Sequence, residues 1–178
     1  GAGVLHEDAI FPVRFVGIPI NIKNTNQPLD PGTMIISGAE SYDNQTVITG
    51  IAGKKGFTVI TIEKDMMNSE LGFGRRVLEV LEKHKVSFEH LPSGIDTMSI
   101  IISTNALNGN REGIKNDICA AVEPDCISVE DGLALIAVVG RGMISTKGTA
   151  ARVFGAAAKA GVNIRMIDQG SSELNIII

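Results

Sequence analysis

Two short segments of the chain carry residue types that could hold a small charged molecule. The first, from Met67 to Gly74, leads into an apolar periodic stretch that predicts a helix. The first N–H groups of a helix lack intrahelical partners and lie at the positive end of its dipole, so such a start favours an anion. Gly72 and Gly74 allow backbone to approach a ligand closely, and Ser69 adds a hydroxyl. This segment predicts an anion site, or a tight strand-to-helix turn that the glycines merely shape.

The second segment surrounds Glu89, where apolar and polar residues alternate as in a half-buried strand. Ser87 and Glu89 share the face opposite Phe88, and a carboxylate there can pair with a cationic group. Asp96 is a rival for that role. An anion-binding helix start together with an acidic side chain suits a free amino acid; the alternative is that Glu89 is an ordinary solvated strand residue.

A duplication accounts for the arrangement of these segments. Shifted by 76 positions, the chain matches itself without a gap at many identical residues: Gly56 and Gly132, Met67 and Met143, Gly72 and Gly148, Arg76 and Arg152, Val86 and Val162, Ile100 and Ile176. Chance does not keep that register, so the chain contains a repeated unit. The second copy has Arg165 in place of Glu89, and an arginine would repel a cation. The two copies are therefore not expected to bind the same ligand equally.

The first copy predicts strand, helix, strand, strand, helix, strand, as follows: FTVITIE, GFGRRVLEVLEKHKV, the alternating stretch from Val86 to His90, MSIIIS, Arg111–Val122 and CISV. That order predicts an α+β, ferredoxin-like βαββαβ fold, with helices on one face of an antiparallel sheet. The second copy offers LALIAVV, a helix over 149–160, VNIRMI and LNIII, and lacks a second helix and a last strand. A strand over 45–51 is predicted to complete its sheet.

Composition narrows the function classes. The chain is 44% hydrophobic and 20% charged with a net charge of −4, as expected of a soluble globular protein. Aromatic residues are 4% and basic residues are not clustered, which argues against nucleic-acid binding. We expect no membrane element, because no apolar run reaches the roughly 18 residues needed to cross a bilayer. Cys119 and Cys126 form no CxxC pair and indicate reduced thiols in a cytoplasmic protein, and the scattered histidines predict no metal site.

Longer segments resemble a known family. MMNSELGFGRRVLEVLEKHKVSFEHLPSGID and GRGMISTKGTAARVFGAAAKAGVNIRMIDQGSSELNIII resemble the paired ACT regulatory modules of lysine-sensitive aspartate kinases, and FPVRFVGIPINIKNTNQPLDPGTMI is similar to the end of that family's kinase domain. The resemblance implies four parts: the kinase end and its connection over 1–44, the completing strand over 45–52, a first ACT module over 53–130, and a C-terminally incomplete second module over 131–178.

The resemblance also implies the activity of a parent enzyme. Such an enzyme uses ATP and magnesium to phosphorylate the side-chain carboxylate of aspartate, the first step towards lysine, threonine and methionine. The family's Lys-Gly-Gly-Thr phosphate-binding motif does not occur in this sequence. Phosphoryl transfer depends on positioned cations around the phosphates. We therefore expect no catalytic residue and no cofactor in this part of the protein, which should be inactive alone.

By resemblance, the effector is an end-product amino acid, with lysine favoured and threonine possible. Candidate effector-binding residues are Met67, Ser69, Gly72, Phe73, Gly74, Ser87, Phe88, Glu89, Ser93 and Asp96. A second set could bind another effector or, as we prefer, mediate contacts between modules: Met143, Gly148, Thr149, Asn163, Ile164 and Gln169. The expected partners are a second copy of the chain, joined through the ACT modules as a homodimer, and the kinase domain of the same polypeptide. The alternative function is a structural dimerisation module without a ligand.

Overall fold

The computed structural model describes residues 5–36, 47–143, 146–169 and 175–178, which fall into two compact units, Gly1–Thr46 and Val47–Ile178. The first unit contains helix α1 (Glu7–Phe15) and an antiparallel pair, β1 (Ile20–Ile22) and β2 (Thr33–Ile35). In the described part of the chain, no helix is long and apolar enough to cross a lipid bilayer.

The second unit is an antiparallel sheet with helices. Its strands are β3 (Gly50–Glu63), β4 (Thr97–Ser103), β5 (Cys126–Val139) and β6 (Asn175–Ile177), in the order β4-β3-β5-β6. Its helices are α2 (Phe73–Lys83), α3 (Arg111–Val122) and α4 (Thr149–Lys159). Short 3-10 turns at Met67–Ser69 and Arg141–Met143 precede α2 and α4. The predicted α+β class is confirmed, and α3 has the predicted bounds.

Strands β3 and β5, each 14 residues long, serve both copies of the repeat. Residues 57–63 of β3 pair with β4, and residues 59–63 also pair with the first half of β5. Residues 50–55 and Phe57 pair with the second half of β5. The register shifts on either side of Phe57. The segments predicted as separate strands CISV and LALIAVV are therefore one strand.

The strand predicted before the first copy does pair with the second copy, since Gly50 lies opposite Val139 and Ile51 opposite Val138. It begins later than predicted and continues without a break into β3; residues 45 and 46 lie outside the described part. The predicted boundaries at 52/53 and 130/131 fall inside continuous strands. The division into two modules stays a prediction.

Strand alternation separates the two faces of the sheet. Ile60, Ile62, Ile100 and Ile102 are fully buried in a core beneath α2 and α3. The helices contribute apolar residues at helical spacing: Phe73, Val77, Val80 and Leu81 from α2, and Ile114, Ile118 and Val122 from α3. Burying one such side chain stabilises the fold by about 1.5–3 kcal/mol. A smaller second core contains Val138, Met143, Val153 and Ile176.

Two predicted strands are not regular strands. The stretch 86–90 pairs with β4 only through a bridge between His90 and Ile101. Val86 is buried in the core after the end of α2, and Pro92 has no N–H group to donate, so pairing with β4 is interrupted at both residues; beyond Pro92, Ser93 bridges Met98. In the second copy, residues 162–167 line a cavity on the face of the sheet opposite α2 and α3. There the described residues show a bridge only between Asp168 and Ile177.

The repeat extends to the helix ends. After α2, the N–H groups of Lys85 and Val86 donate to the carbonyls of Glu82 and Leu81, and after α4, Gly161 and Val162 make the corresponding bonds to Ala158 and Ala157. Both are Schellman motifs, whose penultimate residue adopts the left-handed conformation. That residue is Gly161 (φ 69°) in the second copy, but Lys85 (φ 56°) in the first. A side chain at Lys85 therefore carries a steric cost that glycine avoids.

We expect Lys85→Gly to raise the free energy of unfolding by about 1 kcal/mol, because it relieves the left-handed strain. Lys115→Gly, in the interior of α3, is the matched control and should lower it by about 1 kcal/mol. Urea unfolding followed by circular dichroism measures both. A destabilised Lys85→Gly variant would contradict the strain argument.

Candidate effector site

The loop that follows β3 is fixed by the turn before β4. The N–H groups of Lys64 and Asn68 donate to the carbonyls of Asp96 and Ile95, at 2.9 and 3.0 Å. The N–H of Met66 donates to Oδ1 of Asp96 at 2.9 Å. The Asp96 carboxylate therefore holds the loop, which gives it a structural partner in addition to its candidate role with a cation.

Within this loop the candidate residues divide by burial. Met67 is buried in the core and so cannot present its side chain to solvent, whereas Ser69 is exposed and donates its hydroxyl to the Met66 carbonyl at 2.7 Å. Met66 itself adopts the left-handed conformation at φ 57°. The loop thus offers mainly backbone groups and the Ser69 oxygen to a ligand.

Helix α2 begins without a side-chain cap. Gly72 is the N-cap at φ 78°, and the first turn contains no acidic residue. The Phe73 N–H donates to Glu70, whereas for the Gly74 and Arg75 amides the described residues provide no acceptor. A Cβ on Gly74 would lie 3.3 Å from Cε of Met98, so a larger residue would be crowded. Amides without an acceptor at a helix start are groups that can bind an anion, and an anion site here stays a prediction.

Behind the helix start lies a cluster of three charged residues, Lys64, Glu70 and Arg76. The Lys64 ammonium contacts the Glu70 carboxylate at 2.8 Å, and Arg76 contacts its other oxygen. The hydrogen bond from Lys64, opposed by burial and aided by the Arg76 charge, holds the pKa of Glu70 below its usual value of 4.5. Lys64 and Arg76 also donate to the carbonyls at the end of α3. The cluster ties the loop to both helices.

Sequence reasoning missed this cluster, although the repeat held a signal for it. The positions equivalent to Lys64 and Glu70 are Gly140 and Thr146, so only Arg152 remains of the cluster in the second copy. The Lys64–Glu70 pair occurs in the first copy alone, which suggests that it has a role specific to that copy.

The remaining candidate residues of the first set, between Ser87 and Ser93, form a row along β4. Glu89 donates its N–H to Ile101 at 2.8 Å, while Ser93 bridges Met98 nearer the start of α2. Met98 and Ile101 are three positions apart along β4, which corresponds to about 10 Å. Ser87, Phe88 and Glu89 are exposed, and no described residue hydrogen-bonds or ion-pairs with the Glu89 carboxylate. The structure thus brings the loop and Asp96 together. Ser93 bridges Met98 and lines a cavity on the other face of the sheet, and Glu89 lies at the far end of the row.

The second candidate set is not gathered in one place. Met143 is buried in the second core, and the hydroxyl of buried Thr149 donates to the Thr146 carbonyl at 2.9 Å. Gly148 caps α4, while Asn163 and Ile164 line a cavity on the other face of the sheet. Gln169 is exposed. A second effector site at these residues stays a prediction.

Part of the chain matches a known domain family, and nearly all of it is similar to a known enzyme. A model of the ACT domain family matches residues 136–178. Aspartokinase 3 of Bacillus subtilis is 43% identical over 178 residues, covering 99% of this chain and 39% of that protein. The chain is a relative of the aspartokinases and contains an ACT domain.

Solved structures of aspartate kinases are also similar to this chain. The crystal structure of Clostridium acetobutylicum aspartate kinase superimposes with a TM-score of 0.90 at 56% identity, over 98% of this chain and 40% of that one. E. coli aspartokinase III in complex with lysine and aspartate gives a TM-score of 0.74 at 24% identity, over 98% and 38%, a likeness that shows the fold alone. The chain spans about two-fifths of the length of these relatives.

We expect Glu70→Gln to destabilise the protein at neutral pH, because it leaves Lys64 and Arg76 without their carboxylate. The lowered pKa gives the sign of the pH dependence: the stabilisation is complete above about pH 4.5 and is lost as the pH falls through the lower folded-state value. The wild-type and variant unfolding curves should therefore converge in acid. Urea unfolding between about pH 7 and pH 3 measures this.

Glu79→Gln is the control for this prediction. Its exposed pair with Arg75 spans one helix turn at 2.7 Å, and such pairs stabilise by less than about 0.5 kcal/mol. Equal effects of the two substitutions at neutral pH would show that the cluster has no special role.

Proposed function

We propose that this chain is the allosteric regulatory part of an aspartate kinase, and that it binds an end-product amino acid, lysine, for feedback inhibition. The parent enzyme would phosphorylate the side-chain carboxylate of aspartate with ATP and magnesium. Those ligands belong to its catalytic part, and we assign no residue of this chain to them. The similarity to aspartokinases along nearly the whole chain supports this proposal.

The observation that carries the choice of ligand is the contrast between Glu89 and its repeat equivalent. Glu89 is exposed, and the described residues give it no ion pair, whereas Arg165 contacts the Glu130 carboxylate at 2.5 Å. A free carboxylate about 10 Å along β4 from an anion-accepting helix start suits a molecule with a carboxylate and a distant ammonium group. The lysine named in the E. coli aspartokinase III complex is a ligand of this kind.

The ligand can regulate the enzyme if it binds two arrangements of the modules with unequal affinity. The exposed stretch 87–89 lies at the outer edge beside β4, and an exposed edge can pair with another chain. A homodimer through this edge would place Glu89 at the junction of two sheets. A ligand there inhibits only through its differential affinity for two arrangements, and a coupling of about 1–3 kcal/mol is sufficient.

We expect Glu89→Ala to weaken lysine binding about 10- to 100-fold, because a hydrogen bond to a charged group contributes about 1.5–3 kcal/mol. Calorimetric titration with lysine and with threonine measures this, and Glu112→Ala, an exposed acid on α3, should leave the affinity unchanged. Unchanged lysine affinity in Glu89→Ala would remove that residue from the site. If lysine, threonine and methionine all fail to bind wild type, the chain is a dimerisation module without a ligand.

We expect Phe88→Lys to shift the chain from dimer to monomer, because it places a charge on the apolar part of the proposed edge; Phe88 is 43% exposed. Sedimentation velocity with and without lysine measures the change. Leu29→Lys, at a residue that is 97% exposed in the first unit, is the control. A wild-type chain that remains monomeric with lysine would contradict the edge dimer.

A further inference from the structure

A cavity of about 600 Å³ lies on the face of the sheet opposite α2 and α3. Successive side chains of a strand point to opposite faces, and the fully buried Ile60 and Ile62 point to the helices. The intervening Val59 and Thr61 of β3, with Ser99 and Ile101 of β4, line the cavity instead. The cavity is therefore distinct from the loop at the start of α2, on the helix side of the sheet.

The cavity floor changes from apolar to polar along the strands. One cross-strand row contains Ile101, Val59 and Glu130, and the next row contains Ser99, Thr61 and Ser128. Phe57 and Ile101 are 1% exposed, Thr61 and Ser99 are half-buried, and Thr97 beyond them is exposed. The floor is therefore apolar at Val59 and Ile101, has the charged Glu130 beside them, and carries hydroxyls at Thr61 and Ser99.

The hydroxyls of Thr61 and Ser99 lie on directly paired residues, and within the described chain neither has a hydrogen-bond partner. A hydroxyl can both donate and accept a hydrogen bond. Two such groups at the border of an apolar floor are therefore suited to the carboxylate and ammonium of a zwitterion.

The opposite wall comes from the second copy. Ile164 and Met166 line it with apolar surface, and Arg165 contacts Glu130 at 2.5 Å. Both members of that ion pair are about half exposed, so a ligand with both charges could exchange partners with them. An occupant would touch β3 and β4 of the first copy and residues 162–167 of the second.

We infer that this cavity is a second ligand site, which takes an α-amino acid with an apolar side chain. The side chain lies over Val59 and Ile101, and the zwitterionic head meets Thr61 and Ser99. The volume is within the range of about 300–1,000 Å³ typical of small-molecule pockets. Because the occupant contacts both copies, its binding favours whichever arrangement of the copies it binds more tightly. This site does not depend on lysine binding near Glu89.

The test is calorimetric titration of the 178-residue chain with L-methionine, L-leucine and L-phenylalanine. We expect at least one of them to bind, and Thr61→Val, which removes a hydroxyl at nearly constant volume, to weaken it about 3- to 10-fold. Ser99→Leu, which fills the middle of the floor, should abolish binding. Ser128→Ala is the matched control, since Ser128 shares the cross-strand row but does not line the cavity.

Three results would overturn the inference: binding of none of the three amino acids at millimolar concentration, equal weakening by Thr61→Val and Ser128→Ala, or loss of binding in Glu89→Ala. Lysine titration of the same variants separates this outcome from the proposed function. Lysine affinity retained in Thr61→Val and Ser99→Leu also shows that these variants fold.

Discussion

The pairing of β3 with β5 is the interaction on which the rest of the second unit depends. Each strand runs through both copies of the repeat, so the first half of one pairs with the second half of the other. Neither copy can complete its sheet without a strand that also belongs to its neighbour. The stabilities of the two copies are therefore coupled through backbone hydrogen bonds, and a change of twist in one half is carried into the other by the same strands.

On this shared backbone the two copies differ in their charges. The first copy has the larger core, the Lys64–Glu70–Arg76 cluster and an exposed carboxylate at Glu89. The second copy retains the glycine helix start at Gly148 and the Schellman end, but Arg165 reverses the charge and Gly140 and Thr146 remove the cluster. Duplication supplies the geometry twice, and a few substitutions decide which copy presents a free acidic group.

The sequence predicts the features that depend on local residue patterns. It does not predict those that depend on partners distant in the chain. The bounds of α3 follow from Ile114, Ile118 and Val122 at helical spacing, and the glycine starts of α2 and α4 follow from the repeat. The ends of β3 and β5 do not, because their length reflects pairing between residues more than 60 positions apart, such as Gly50 and Val139. Contacts between segments distant in sequence also include the hydrogen bond that Met66 donates to Asp96 and the one that Lys64 donates to the end of α3, and neither could be predicted.

The geometry of the candidate row also bears on the choice between lysine and threonine. The anion-accepting start of α2 lies beside Met98, while Glu89 is level with Ile101, about 10 Å further along β4. Lysine separates its α-carboxylate from its terminal ammonium by a flexible four-carbon stem, whereas the charged groups of threonine share one carbon atom. A threonine at the helix start would leave Glu89 without a partner. If the proposed site uses both the helix start and Glu89, this spacing favours lysine over threonine.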